Sequence, residues 1–259
     1  MEPNQTFFDF AAEVGLTKHI GGVAATESLI YLCQIDQDSY VLDVGCGVGV
    51  TACYLARKTG CRVMGIDIVP GMVERSNQRA QKEGFAGQVE FRQADVQDLP
   101  FEDQTFTVVI SESVTAFPPD KAKAVSEYFR VLKPGGYIGL NESTWLKFPP
   151  PQEMIDWVSQ DLGMSAQPLQ TEEWEKLLLD AGFREVFTEI DEIDVQDESK
   201  GLLKRYGCGG MLGIFGRMLA LYMKNPAYRD FVKSTREGGV VPEGIDQYFG
   251  YGLYVGKKP

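Results

Sequence analysis

The sequence predicts an α/β fold, a doubly wound and mostly parallel sheet with helices on both faces. From residue 40 onward, short β-branched apolar runs alternate with helical stretches, the connection pattern that builds parallel sheets. These runs are almost continuously apolar rather than alternating, as strands covered on both sides require. The first of them ends in a glycine-rich turn that leads into a helix.

The predicted strands are 40–45 (YVLDVG), 62–68 (RVMGIDI), 89–96 (VEFRQADV), 105–111 (TFTVVIS) and 137–143 (YIGLNES). Helices are expected between them at 52–58, 72–83 and 121–132. Upstream, Phe7, Phe10, Ala11 and Val14 recur at helical spacing, and so do Leu29, Leu32 and Cys33. His19-Ile20-Gly21-Gly22 divides that region into two helices. Downstream, Thr171 is the expected cap of a helix with Glu172 and Glu173 in its first turn and Gly182 at its stop. Residues 183–193 read as a strand, and YFGYGLYVGKK near the end of the chain reads as the last one. Residues 197–245 interrupt this order. Within them a Gly- and Met-rich helical segment sets Met211, Ile214, Met218 and Leu221 on one face and Leu212, Phe215, Leu219 and Tyr222 on another. The expected organisation is an N-terminal helical lid at 1–35, a core at 36–196, a helical cap insertion at 197–245 and a final core strand at 246–259.

Composition excludes several classes. With 259 residues, 44% hydrophobic and 24% charged, the chain is an ordinary globular one. Thirty-seven acidic residues against 25 basic ones set the net charge at −12. Such a surface repels phosphate backbones, so no nucleic-acid partner is expected. The five cysteines (Cys33, Cys46, Cys53, Cys61 and Cys208) form no C-x-x-C pair, and the chain has one histidine. No metal site is therefore expected, and the thiols read as reduced ones of a cytoplasmic protein. The N-terminal stretch MEPNQTFFDFAAEVG shows no leader, and no apolar run nears the roughly 20 residues that span a bilayer, so no stable membrane insertion is expected.

Chemistry concentrates at the ends of the predicted strands. In VLDVGCGVG (41–49), Gly45, Gly47 and Gly49 let the main chain approach a ligand closely around Cys46. A dinucleotide fingerprint would need glycine at position 50, which is Val50, so a nicotinamide-dependent dehydrogenase is disfavoured. Asp43 precedes the glycines and is suited either to a cationic or polar ligand or to holding the loop. Asp67, about 20 residues past the glycines, is placed to accept both hydroxyls of a ribose, with Ile68 against an adenine face. Asp95 and the Val96 backbone are candidates for the adenine edge, and Ser111 follows the fourth strand. All sit at carboxyl ends of strands, where open α/β sheets bind ligands. The structural alternatives are a bare packing turn for the glycines and plain strand-end acids for Asp67 and Asp95.

These segments resemble the class I S-adenosylmethionine-dependent methyltransferases, in particular the small-molecule branch related to ubiquinone/menaquinone and sterol C-methyltransferases. The resemblance rests on VLDVGCGVG, VMGIDIVPGMVERSNQRA, QADVQDLPFEDQTFTVVISES and RVLKPGGYIGLNE, in the family's order and spacing over roughly residues 20–195. It implies a Rossmann-like, seven-stranded sheet with an antiparallel last strand. It also implies S-adenosyl-L-methionine as cofactor and S-adenosyl-L-homocysteine as product. Gly45 and Gly47 would then approach the methionine part, Asp67 the ribose, and Asp95 with Val96 the adenine. The expected function is methyl transfer to a small organic acceptor by in-line displacement. A catalytically inactive module that binds the cofactor or its product is the alternative.

Methyl transfer from a sulfonium needs the nucleophile held about 3 Å from the methyl group, with water excluded and any proton removed. His19, in the HIGG segment, is the candidate general base or orienting donor; a helix-capping or surface histidine is its structural alternative. Glu112 is the second catalytic candidate, suited to a cationic acceptor or to a proton, against a solvated loop acid. Glu142 faces the same choice as an acceptor contact. Phe117, Trp145 and Tyr206 are candidate pocket walls, with ordinary core packing as the alternative. Segment 201–233 is expected to form a mobile cap over a moderately apolar acceptor; packing on the sheet, a homodimer contact or a membrane-surface helix compete with that reading.

Overall fold

The computed structural model describes residues 7–161, 166–192, 195–237 and 241–259. Two short helices, α1 (Phe7–Val14) and α2 (Gly22–Leu32), precede the sheet. The chain then alternates through β1 (Tyr40–Val44), α3 (Val50–Thr59), β2 (Arg62–Asp67), α4 (Pro70–Glu83), β3 (Val89–Gln93), β4 (Phe106–Glu112), α5 (Lys121–Val131) and β5 (Leu132–Trp145). It continues through α6 (Gln152–Asp161), β6 (Leu169–Gln170), α7 (Thr171–Ala181), β7 (Arg184–Glu192), α8 (Val195–Lys224), α9 (Pro226–Glu237) and β8 (Phe249–Lys257).

The sheet order is β3-β2-β1-β4-β5-β8-β7, parallel throughout except for β8, which runs antiparallel to both neighbours. Seven strands form this path, as the resemblance implies. An eighth, the two-residue β6, pairs with β5 at Thr144 and Trp145, beyond the end of β4. Side chains of a strand point alternately to its two faces, and the central strand shows the consequence. Leu42 and Val44 pack with Val125 and Tyr128 of α5 and Trp174 of α7, whereas Val41 packs with Leu29 of α2 and Leu55 of α3. Both faces are thus covered, which explains the continuous apolar runs.

Several boundaries differ from the sequence reading. The first helix ends at Gly15 rather than at the HIGG segment, because Gly15 takes the left-handed conformation. Gln170, not Thr171, precedes α7; its backbone N–H donates to the Glu173 carboxylate at 2.9 Å. Helix α6 carried no distinct signal. Residue 193 of the predicted strand lies outside the described residues.

Helices α8 and α9 are inserted between β7 and β8, with a break at Gly207 (φ 66°, ψ 169°). Ile214 packs with Phe10 and Val14 of α1 and Tyr228 of α9. On the opposite face, Leu212, Phe215, Leu219 and Met223 are exposed. Arginines bind α1 to its neighbours. Arg75 donates to the carbonyls of Ala12 and Glu13, and Arg217 to that of Val14, so cations satisfy the last carbonyls of that helix. No helix among the described residues is long and apolar enough to cross a membrane.

Candidate active site

A cavity of about 330 Å³ opens at the carboxyl ends of β1, β2 and β4 and the turn after β3. Seven of the predicted cofactor-side and pocket residues line it: Gly45, Gly47, Asp67, Ile68, Asp95, Val96 and Phe117, joined by Glu112. The turn that floors it needs glycine twice. Gly45 and Gly47 have φ of +63° and +53°, and a Cβ on Gly45 would overlap the Val114 side chain. On Gly47 it would stand 2.8 Å from the Thr17 hydroxyl.

Asp67 joins two turns. Its Oδ2 accepts from the Gly47 N–H and its Oδ1 from the Val69 N–H, each at 2.9 Å. Burial raises its carboxyl above the usual range, while these N–H groups pull it back. Asp95 accepts from the Gln97 N–H at 2.8 Å, an Asx turn that fixes its direction. Ile68 is 62% exposed at the rim, and Phe117 stacks edge-on against Phe8. The rim thus offers carboxylates for hydroxyl and amino donors beside apolar faces for a flat ring.

Four predicted site residues lie beneath this cavity rather than in its wall. Cys46 turns its buried thiol toward Ser76 and the Gly47 carbonyl, because its own side of the turn faces the packed α4. Asp43 is buried and accepts from the Ala52 N–H at the start of α3; its Oδ2 has no partner, and burial with Glu112 nearby holds its carboxyl well above the ordinary range. Ser111 is fully buried, bonded to Thr115 and Glu142. Glu142 is corrected from an acceptor contact to a structural carboxylate. Its oxygens accept from the N–H groups of Val114 (3.1 Å), Thr115 (2.7 Å) and Ala116 (3.3 Å), closing the turn in which Ser113 takes a φ of +58°. Burial pushes Glu142 up to about 7. Trp145 is corrected likewise: it packs edge-on against Phe249 in a satellite core with Met154, away from the cavity, because it ends β5 under α6.

Behind Glu112 stands a buried polar network. Glu112 accepts from Thr26 at 2.8 Å and from Thr51 at 3.0 Å, and the His19 Nε2 lies 3.5 Å from its Oε2. Arg205, from α8, contacts His19 Nε2 and donates to Thr51 at 3.1 Å. Asn141 holds the other side of the HIGG segment, donating to the Ile20 carbonyl at 2.7 Å. Burial drives the His19 imidazole down to about 4, further than the Glu112 charge raises it. His19 therefore stands one layer behind the cavity wall, and Glu112 in the wall itself. Tyr206 is not a wall of this cavity. Its hydroxyl donates to the Thr17 carbonyl and accepts from the Thr17 N–H, pinning the loop after α1 to α8.

Thr26, Thr51, Asn141 and Arg205 were not singled out in the sequence. Nothing local marks them, since each is a common helix or strand residue until the fold turns it inward. Among the described residues no cluster of three His, Cys, Asp or Glu side chains is arranged to hold a metal.

A family model described as a methyltransferase domain matches residues 42–140, the span from β1 to the middle of β5. An uncharacterized methyltransferase of Bacillus subtilis, YodH, is 34% identical over 64% of this chain and 69% of its own length. This chain belongs to the S-adenosylmethionine-dependent methyltransferases. An uncharacterized protein of Haemophilus influenzae is 31% identical over 83% of the methyltransferase chain and 86% of its own. A chloroplastic tocopherol O-methyltransferase of Arabidopsis thaliana is 36% identical over 54% of the chain, which spans only 36% of that longer protein. In fold, the structure resembles a Haemonchus contortus phosphoethanolamine N-methyltransferase 2 solved with S-adenosyl-L-methionine, at a TM-score of 0.69 and 22% identity, covering 93% of this chain and 54% of the other. The cofactor of this methyltransferase is S-adenosyl-L-methionine.

Proposed function

We propose that this methyltransferase transfers the methyl group to a small organic acceptor by in-line displacement, with the adenosyl part of the cofactor in the 330 Å³ cavity. The observation that carries this reading is the convergence of Asp67, Asp95, Ile68 and two Cβ-free turn residues, Gly45 and Gly47, on that one space. The donor set fits the cofactor: carboxylates meet ribose hydroxyls and the adenine amino group, and Ile68, Val96 and Phe117 offer apolar cover to the ring. When bound, the cofactor supplies an electrophilic methyl on a sulfonium.

The chain's own residues then orient and protect. Gly45 and Gly47 admit the methionine portion, and Glu112 faces the space beside it. Glu112 is the candidate catalytic group, able to hold a cationic acceptor or to receive a proton from a neutral one. His19 acts as a positioning residue: neutral through burial, it borders Glu112 and Arg205 and keeps the carboxylate's direction.

Calorimetric titration with S-adenosyl-L-homocysteine is expected to show one saturable site per chain; no binding would overturn the reading. Acceptor-dependent release of S-adenosyl-L-homocysteine then separates a working enzyme from a module that only binds.

A further inference from the structure

A second cavity, of about 280 Å³, lies on the other side of Glu112, between α8 and the flanks of α2, α3 and α4. Its wall carries four cations, Arg57, Arg79, Lys204 and Arg205, against one carboxylate, Glu83. That is a local inversion in a chain of net charge −12. Arg57 and Arg79 both pair with Glu83. Among the described residues, neither Lys204 nor Arg205 has a carboxylate within 4 Å, and the Arg205 Nε is buried without a hydrogen-bond partner. Gathering like charges and burying an unpaired guanidinium N–H are both unfavourable. An oxyanion relieves both, and arginine forks match carboxylate and phosphate oxygens in geometry. Val50 and Thr51, at the start of α3, also line the space, and that helix end has no side-chain cap. The volume far exceeds the roughly 30 Å³ of one water.

The two cavities share a thin partition. Thr26 and Thr51 line the basic cavity and donate to Glu112, which lines the cofactor cavity. We propose that the basic cavity holds an oxyanion of the methyl acceptor, a carboxylate or phosphate group, and so directs the rest of that molecule across Glu112 toward the cofactor. The assignment rests on the methyl-transfer reading above, and it replaces the expected apolar acceptor with an anionic one. The cap meets the site through Lys204 and Arg205, while its apolar residues Leu212, Phe215 and Leu219 lie outside.

The test is titration of inorganic phosphate, at low ionic strength, into protein saturated with S-adenosyl-L-homocysteine. One saturable site is expected. In the double variant Arg57→Gln/Lys204→Gln, phosphate affinity should fall about tenfold or more, because two partly exposed charges leave the wall while the fold keeps its core. Lys58→Gln, which removes a neighbouring charge outside the cavity, should change nothing. Phosphate binding that is unsaturable, or equal in the double variant, overturns the site. Competition between S-adenosyl-L-homocysteine and phosphate, with weaker S-adenosyl-L-homocysteine binding in the double variant, assigns the cations to the cofactor's own carboxylate and overturns the acceptor role. Failure of S-adenosyl-L-homocysteine to bind at all sinks the methyl-transfer reading instead, and the phosphate titration on the free protein still decides the site.

Discussion

The cavity proposed for the cofactor and the basic cavity meet at one partition, where Glu112 lines the first and Thr26 and Thr51, which donate to it, line the second, yet the two are assembled in opposite ways. The first is built from strand ends and the turns that follow them, so its carboxylates and glycines stand on backbone that the sheet holds rigid. The second is built from the sides of helices, and its cations arrive on long side chains from elements far apart in the chain. Backbone rigidity suits a cofactor that must be placed the same way every time. Long charged side chains suit a ligand recognised by charge and captured from solution.

Four experiments break or sharpen that contrast. The largest effect is expected from Glu142→Ala, which strips the turn after β4 of the acceptor for three N–H groups. Stability measured by urea unfolding should fall by about 3 kcal/mol or more. A loss below about 1 kcal/mol would mean that strand-end turns hold themselves and that the rigidity argument is wrong.

Next is the pH response of His19. Its imidazole is held near 4 in the folded chain against 6.5 when unfolded. The unfolded chain therefore binds the proton first, and stability is lost as pH falls through that interval, by roughly 3 kcal/mol in all. His19→Gln should flatten this part of the pH–stability curve. An unchanged slope would place the imidazole in water rather than behind Glu112.

Asp67→Ala tests the rim directly. Calorimetry should show S-adenosyl-L-homocysteine binding weakened by about 1.5–3 kcal/mol, the range of charge-assisted hydrogen bonds. Unchanged affinity would remove Asp67 from the cofactor and leave it as a link between two turns.

The smallest effect is expected from Tyr206→Phe, which removes both hydrogen bonds to the Thr17 backbone. About 1 kcal/mol of local stability should go, read as faster hydrogen exchange at the Thr17 amide with little change in global unfolding. A large global loss would show that α8 and the loop after α1 belong to the core rather than to a separately adjustable side.

Much of the rim of the first cavity was legible from the chain. Asp67 ends a β-branched apolar run, the glycines follow one directly, and Asp95 opens the turn after β3; period and turn chemistry locate such positions without knowledge of contacts. The misplacements have one cause. Cys46 and Ser111 stand beside residues that line the cavity, and successive residues near a strand end point to opposite sides. Proximity in sequence is then a poor guide to which neighbour meets the ligand and which meets the core. Trp145 packs in a satellite core for a related reason, since an aromatic ring gains from burial in any of several clusters, and Tyr206 lines the basic cavity rather than the first one.

Local pattern was enough to specify the alternating elements, the parallel sheet and the rim acids, because each depends on interactions within a few residues or on the two-sided burial of a strand. The basic cavity, the Arg205 contact with His19 and the outward turn of the apolar face of α8 were decided by the folded arrangement alone. A charge or an apolar stripe looks the same in a chain whether it meets solvent or another element. Only the packing of α8 against α1 and α2 brings its cations to one wall and leaves Leu212, Phe215 and Leu219 on the other side.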